Sequence, residues 1–295
     1  MREWCDCRVT VNRGSVSFFE SFLSHYPSAG YSVFQKPGAK NCEYRIFIPL
    51  KKSRLFLEEI QRAADVLSLL SPYRERPKVR IRVRSDSGYR EEWKAFFPVL
   101  SIGRFLIRPN WKRVKAQKGR TIIEIEPGMA FGTGHHFTTA YCIRSIQRSC
   151  RGKSDFLDAG CGSGILSIAA SLCGISHITG IDISSDAVRS SRENFRKNCP
   201  DKDASFQKIS LKNFSSRRKF DVIVANLFDS VIVKNALLIQ SLIKKEGILI
   251  LSGIRYAHKE SVKSAFRRLE LVHEAPDKKK EWYGLTYRKN VPHDI

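Results

Sequence analysis

From Trp4 to Val11 apolar and polar residues alternate, the period-two pattern of a strand with one buried face. From Val16 to Tyr26 the apolar residues Phe18, Phe19, Phe22, Leu23 and Tyr26 recur at helical spacing. Pro27 to Gly30 breaks that pattern. Tyr31 to Lys36 and Glu43 to Leu50 then read as strands around a Gly38-Ala39-Lys40-Asn41 turn, and Leu55 to Leu70 is a long helical pattern whose end is bracketed by Pro72 and Pro77. Val79, Ile81 and Val83 alternate with charge as a further strand. The order strand, helix, strand, strand, helix, strand predicts a small ferredoxin-like α+β domain.

Residues 87 to 120 read as a linker with a short helix near Tyr89 to Phe97, a strand near Arg104 to Arg108 and a basic loop from Trp111 to Arg120. From Thr121 onward, short apolar strands (121 to 126, 155 to 158, 177 to 182, 220 to 226, 247 to 254) alternate with helical stretches, the pattern of βαβ units and a largely parallel sheet. Leu269 to Ala275 and Trp282 to Arg288 read as two strands at a sheet edge. The expected organisation is a ferredoxin-like domain over 1 to 86, a linker over 87 to 120 and a Rossmann-like α/β domain over 121 to 295.

Composition adds three points. The 295 residues are 42% hydrophobic and 11% aromatic with mean hydropathy -0.30, enough to bury a sizeable core and to exclude global disorder. No signal-like apolar region opens the chain and no stretch approaches the ~18 apolar residues of a membrane span, so a cytoplasmic protein without membrane contact is expected. The eight cysteines, at 5, 7, 42, 142, 150, 161, 173 and 199, lack paired metal-ligand spacing and read as reduced, buried thiols.

The net charge of +23 is the compositional outlier and points to a polyanion nearby, or to a basic but merely solvated surface. Arg74, Arg76, Lys78, Arg80, Arg82 and Arg84 recur at period two, so wherever the chain is extended they share one face. Such a row can clamp the phosphates of ribosomal RNA, or it can be the charged solvent face of an edge strand.

Chemistry concentrates between Ser154 and Asp182. Asp155-Phe156-Leu157-Asp158-Ala159 is a short strand, Gly160, Gly162 and Gly164 follow at alternate positions, and a small-residue helix comes next. This G-x-G-x-G differs from the dinucleotide G-x-G-x-x-G. Its glycines permit a tight turn and close approach to a ligand. Asp182 ends the next strand, 22 residues beyond Gly160, where a carboxylate can accept hydrogen bonds from both hydroxyls of a ribose. The combination points to S-adenosylmethionine as cofactor and to methyl transfer as the reaction. Asp158 can receive the amino-acid end of that cofactor or brace the loop, and both roles stay open.

Asn226 closes a third strand at the same carboxyl edge, and its amide suits the orientation of an amine, although a strand-end turn would also account for it. Residues 126 to 139, E-P-G-M-A-F-G-T-G-H-H-F-T-T, form a glycine-rich loop that feeds a helix. It can fold over the cofactor as a lid, with Phe131 excluding water, glycines such as Gly134 allowing the fold, and Thr133, Thr138 or Thr139 offering hydroxyls. His135 and His136 lack a third ligand in reach, so no metal is expected.

These motifs together resemble the methyltransferase family that acts on the large-subunit ribosomal protein eleven, the PrmA type. The lid, Gly160 to Leu166, the Gly180-Ile181-Asp182 strand end, Ala225 to Phe228, Leu251 to Ile254 and Glu281-Trp282 match its pattern in order, covering roughly residues 89 to 288. The resemblance implies an amino-terminal substrate reader on a flexible linker, and methylated lysine and amino-terminal groups on a ribosomal protein, free or on the large subunit. It also implies cofactor contacts at Thr139, Gly160, Asp182 and Asn226. Glu126, His135 and Phe137 depart from the family's aspartate, threonine and proline. A monomer is expected. The rival enzyme is an RNA methyltransferase, against which Asn226 is followed by Leu227-Phe228 and not by a Pro-Pro-aromatic sequence. A third reading, a cofactor-binding RNA chaperone with an idle pocket, is opposed by the intact Asp182 and lid.

Overall fold

A computed structural model describes residues 4–12, 16, 19, 30–34, 40–70, 77–84, 99–115, 118–126 and 137–290. The chain forms two compact units, Met1–Phe96 and Phe97–Ile295. In the smaller unit β1 (Trp4–Asn12), β2 (Gly30–Phe34), β3 (Asn41–Pro49) and β4 (Lys78–Arg84) make an antiparallel sheet of order β2-β3-β1-β4. The helix α1 (Leu50–Leu70) begins directly after β3. Its buried residues Phe56, Ile60, Ala63 and Ala64 fall at the i, i+4, i+7, i+8 spacing of one apolar stripe. Phe56 and Ile60 join Cys7, Val9, Val11, Cys42, Tyr44 and Ile46 in one core. Of the expected helix over 16 to 26 only Val16 and Phe19 are among the described residues. Both are helical, and the Phe19 ring meets Tyr44 edge-on at 4.8 Å. Lys78 and Arg80 are exposed, Arg82 and Arg84 are strand residues of β4, and Arg74 and Arg76 lie outside the described residues.

The larger unit is Rossmann-like. Its strands are β8 (Asp155–Ala159), β9 (His177–Asp182), β10 (Ala204–Lys208), β11 (Phe220–Asn226), β12 (Ile243–Arg255), β13 (Glu270–Pro276) and β14 (Trp282–Arg288). They form one sheet of order β10-β9-β8-β11-β12-β14-β13, parallel from β10 to β12 with β14 antiparallel to both neighbours. Helices on both faces explain the near-continuous apolar runs of the central strands. Alternate residues enter opposite cores: Phe156, Val222, Val224, Ile248 and Ile250 one, Leu157, Ile223, Ala225, Leu249 and Leu251 the other.

The strand at 121 to 126 differs from the expectation that it belongs to the parallel sheet. As β7 (Thr121–Ile125) it pairs with β6 (Phe105–Pro109) in a separate three-stranded sheet completed by β5 (Leu100–Ile102). These strands, two of them in what reads as linker, belong to the larger unit because Ile102, Phe105, Ile107, Ile123 and Ile125 are buried with Tyr141, Ile143 and Ile146 of α2 (Phe137–Ser149). The expected helix near 89 to 97 lies outside the described residues.

Candidate active site

The site is built on the carboxyl edge of the parallel sheet, where open α/β sheets bind ligands. Between β8 and α3 (Ile165–Leu172) the chain turns through Gly160, Gly162 and Gly164 at φ of 81, 53 and 79°, left-handed values that residues with a Cβ rarely adopt. At Gly160 a Cβ would also stand 2.4 Å from Leu227 Cδ2, and at Gly164 it would stand 2.9 Å from the Ser191 backbone. The loop is pinned to β9, since Gly160 N and Cys161 N both donate to the Ile181 carbonyl, at 2.8 and 3.0 Å.

Asp182 is half-buried at the end of β9, and its oxygens hold two backbone amides, Gly162 N at 3.1 Å and Ser184 N at 2.9 Å. Each carboxylate oxygen retains a further lone pair for a hydroxyl donor. The neighbouring Ile183 is 68% exposed, an apolar surface beside that acid. Asp158 is fully buried, one oxygen accepting from Ser167 N at 3.1 Å and Ser167 Oγ at 2.7 Å, the other without a hydrogen-bond partner. Burial pushes its pKa up to about 7, against the opposing bonds from Ser167 and with a smaller push from the Asp182 charge. Buried Cys142 and Cys161 lie near it, and burial followed by the Asp158 charge raises both thiols, which therefore stay protonated.

Asn226, half-buried, ends β11, and Leu227 N donates to Ser252 O at 3.1 Å. The contact of Leu227 with Gly160 sets this segment against the glycine loop. Gly253, at φ 79°, lets β12 approach so closely that a Cβ there would stand 2.4 Å from Leu227 O. The buried Asp229 fastens the other side, accepting from Arg255 N and Nε at 3.2 Å each and pairing with His258 Nδ1 at 3.1 Å. Burial opposes its charge, but the bonds from Arg255 and His258 prevail and hold its carboxyl below the usual range.

A second brace comes from α4 (Ser185–Asn198). Asn194 donates to Ser163 O at 2.9 Å and accepts from Glu126 N at 3.0 Å, Asn198 bridges Glu124 N and O, and Ser191 Oγ donates to Gly162 O at 2.9 Å. The glycine loop and the segment leading to the expected lid thus share one helix. Phe131, Thr133, Gly134 and His135 lie outside the described residues. Thr139 is buried in the first turn of α2, Phe137 packs against Tyr141 at 6.0 Å, and Glu126 pairs with Lys197 at 2.8 Å. Sequence reasoning missed Ile183, Ser191, Asn194, Leu227 and Asp229. Only Ile183 carried a local signal, an apolar residue directly after the strand-end acid.

The donor set fits S-adenosylmethionine: an acid for ribose hydroxyls, an exposed apolar surface beside it for a base, and a turn of left-handed glycines. Among the described residues no three His, Cys, Asp or Glu side chains are placed to hold a metal, and no helix is long and apolar enough to cross a membrane.

The model of the ribosomal protein L11 methyltransferase (PrmA) family matches residues 3–290. The chain is 37% identical over 215 residues to the ribosomal protein L11 methyltransferase of Caldanaerobacter subterraneus subsp. tengcongensis, covering 72% of this chain and 68% of the relative. It is 38% identical over 255 residues to that of Geobacter sp. strain M21, covering 82% and 81%. A crystal structure of ribosomal protein L11 methylase from Lactobacillus delbrueckii subsp. bulgaricus aligns with TM-score 0.59 at 29% identity, over 65% of this chain and 99% of that one. These relationships make the chain a member of the ribosomal protein L11 methyltransferase family, which are S-adenosylmethionine-dependent protein methyltransferases.

Proposed function

We propose that this chain methylates lysine and amino-terminal amines of the large-subunit ribosomal protein L11, acting as a cytoplasmic monomer with residues 1 to 86 as substrate reader. The observation that supports the reading is the packing of Leu227 on Gly160, which brings the segment that follows Asn226 against the loop taken here to hold the methyl donor.

In this reading Asp182 accepts hydrogen bonds from the ribose hydroxyls and Ile183 lies against the base. Gly160, Gly162 and Gly164 admit the cofactor to the backbone, Asp158 faces its amino-acid end, and Thr139 offers a hydroxyl, while Phe131, Thr133 and Gly134 lie outside the described residues. S-adenosylmethionine supplies a methyl group on a sulfonium, a good leaving group, so the nitrogen–carbon bond forms as the carbon–sulfur bond breaks. The enzyme's task is positioning. The Asn226 side-chain oxygen accepts a hydrogen from the neutral amine and aims its lone pair, and nearby backbone carbonyls accept the rest. An incoming lysine loses its proton to solvent before transfer, which desolvation in a closed pocket favours by disfavouring the ammonium.

The test is labelled S-adenosylmethionine with purified chain and separated ribosomal proteins and ribosomal RNA. Label on protein L11 is expected. Label confined to RNA would replace the substrate with RNA, and measured cofactor binding with no label in either would remove the enzymatic reading.

A further inference from the structure

We propose that the face of the β2-β3-β1-β4 sheet opposite α1 binds single-stranded RNA, through arginines in register on adjacent strands and aromatic positions between them. The opposite face is the core face, filled by Cys7, Val9, Val11, Tyr44 and Ile46 with α1, so positions 4, 6, 8 and 10 of β1 belong to the face on which no described helix packs.

The strand register aligns the cations. Arg8 lies directly opposite Arg45 on β3 and opposite Arg80 on β4, and Thr10 and Asp6 lie opposite Lys78 and Arg82. Like charges directly opposite one another destabilise a sheet, so solubility alone does not account for three arginines in line across three strands. Among the described residues Glu43 reaches Arg8, at 3.8 Å and with both side chains about half exposed (44% and 45%), a pairing that contributes little. Along β4, Lys78, Arg80, Arg82 and Arg84 recur every second residue, about 6.7 Å apart.

Two features favour RNA over another polyanion. All but Lys78 of these cations are arginines, whose planar guanidinium pairs with phosphate through two bonds and stacks on bases. The register also assigns aromatic residues to this face: Trp4 opposite Arg84, Phe47 opposite Asp6, and Phe34 opposite Glu43. Aromatic positions on the two central strands of a four-stranded sheet, with cations around them, suit unstacked bases and their backbone, a combination with no use for a duplex.

The experiment measures binding of the full chain to a short, labelled, mixed-sequence single-stranded RNA across a salt series. The Arg8→Gln, Arg80→Gln, Arg82→Gln triple variant is expected to lose at least tenfold in affinity. The slope of log affinity against log salt should fall by about 2, at roughly 0.7 per phosphate contact. Phe47→Leu should weaken binding with the slope unchanged. Lys278, Lys279 and Lys280, exposed in the larger unit, serve as a matched charge control. Their replacement by Gln should leave affinity within twofold. Cofactor affinity and thermal unfolding verify that each variant is folded. Equal losses from the two triple variants, preference for a duplex of the same sequence, or binding to anionic lipid vesicles without binding to RNA would each overturn the proposal. No step reads methyl transfer, so the substrate reading and this one succeed or fail separately.

Discussion

Gly162 donates its backbone N–H to the Asp182 carboxylate at 3.1 Å, so the acid that ends β9 also holds the turn that follows β8. One side chain therefore fixes the shape of the cofactor loop and offers acceptors for a ligand. Asp182→Ala removes both functions. Charge-assisted hydrogen bonds are worth about 1.5–3 kcal/mol each, so S-adenosylmethionine affinity should fall roughly 100-fold or more, as read by calorimetry. Asp182→Asn keeps an acceptor and should fall less. Equal affinity in wild type and Asp182→Ala would remove the acid from the site.

Gly160→Ala places a Cβ at φ 81° and against Leu227 Cδ2. The left-handed conformation costs about 1–2 kcal/mol and the overpacking about 1–3. Chemical denaturation should show a loss in that combined range. Because Leu227 must yield, the turnover number should also fall, and a second change, Leu227→Ala, should recover part of the stability.

Asp158 gives the site a pH dependence whose sign can be worked out. Its folded pKa, raised to about 7 by burial, lies above the ordinary 3.8, so between these values the folded chain binds the extra proton. The stabilisation is fully present below about 4 and is lost as pH rises through 7. Replacing Asp158 by Asn should flatten stability between those limits. If Asp158 meets the cofactor's cationic end, cofactor affinity should move the opposite way, rising up to tenfold per pH unit toward 7 and then levelling off. An affinity independent of pH would leave Asp158 as a brace for Ser167 alone.

Asn194 is buried and links Ser163 O to Glu126 N. Asn194→Ala strands both backbone groups, at about 1–3 kcal/mol each, and should lower the unfolding free energy by several kcal/mol. Asn194→Asp keeps the acceptor for Glu126 N but sets a buried carboxylate against the Ser163 carbonyl, and should lose at least as much.

Local pattern carried much of this site, and its limits are physical. Gly160, Gly162 and Gly164 are readable because a left-handed turn leaves its mark in residue type, and Asp182 because it sits where an apolar run stops. The alternation of β8, β11 and β12 between two cores follows from their continuous apolar runs. By contrast β7 is as apolar as a strand of the main sheet, and nothing in five residues states which neighbour it pairs with. Asn194, Leu227 and the Asp229 bonds to Arg255 and His258 join positions 26 to 68 residues apart or act through packing alone, which no local window contains.

The most direct test of the account is the intact mass of purified ribosomal protein L11 after incubation with this chain and S-adenosylmethionine, with Asn226→Ala in parallel. The account predicts mass increments of whole methyl groups on lysine or amino-terminal nitrogens. With the variant the rate should drop about 100-fold, the scale expected for a misoriented nucleophile, and by more than any accompanying loss of cofactor affinity. Unmodified protein alongside methylated ribosomal RNA, or full activity in Asn226→Ala, would contradict it.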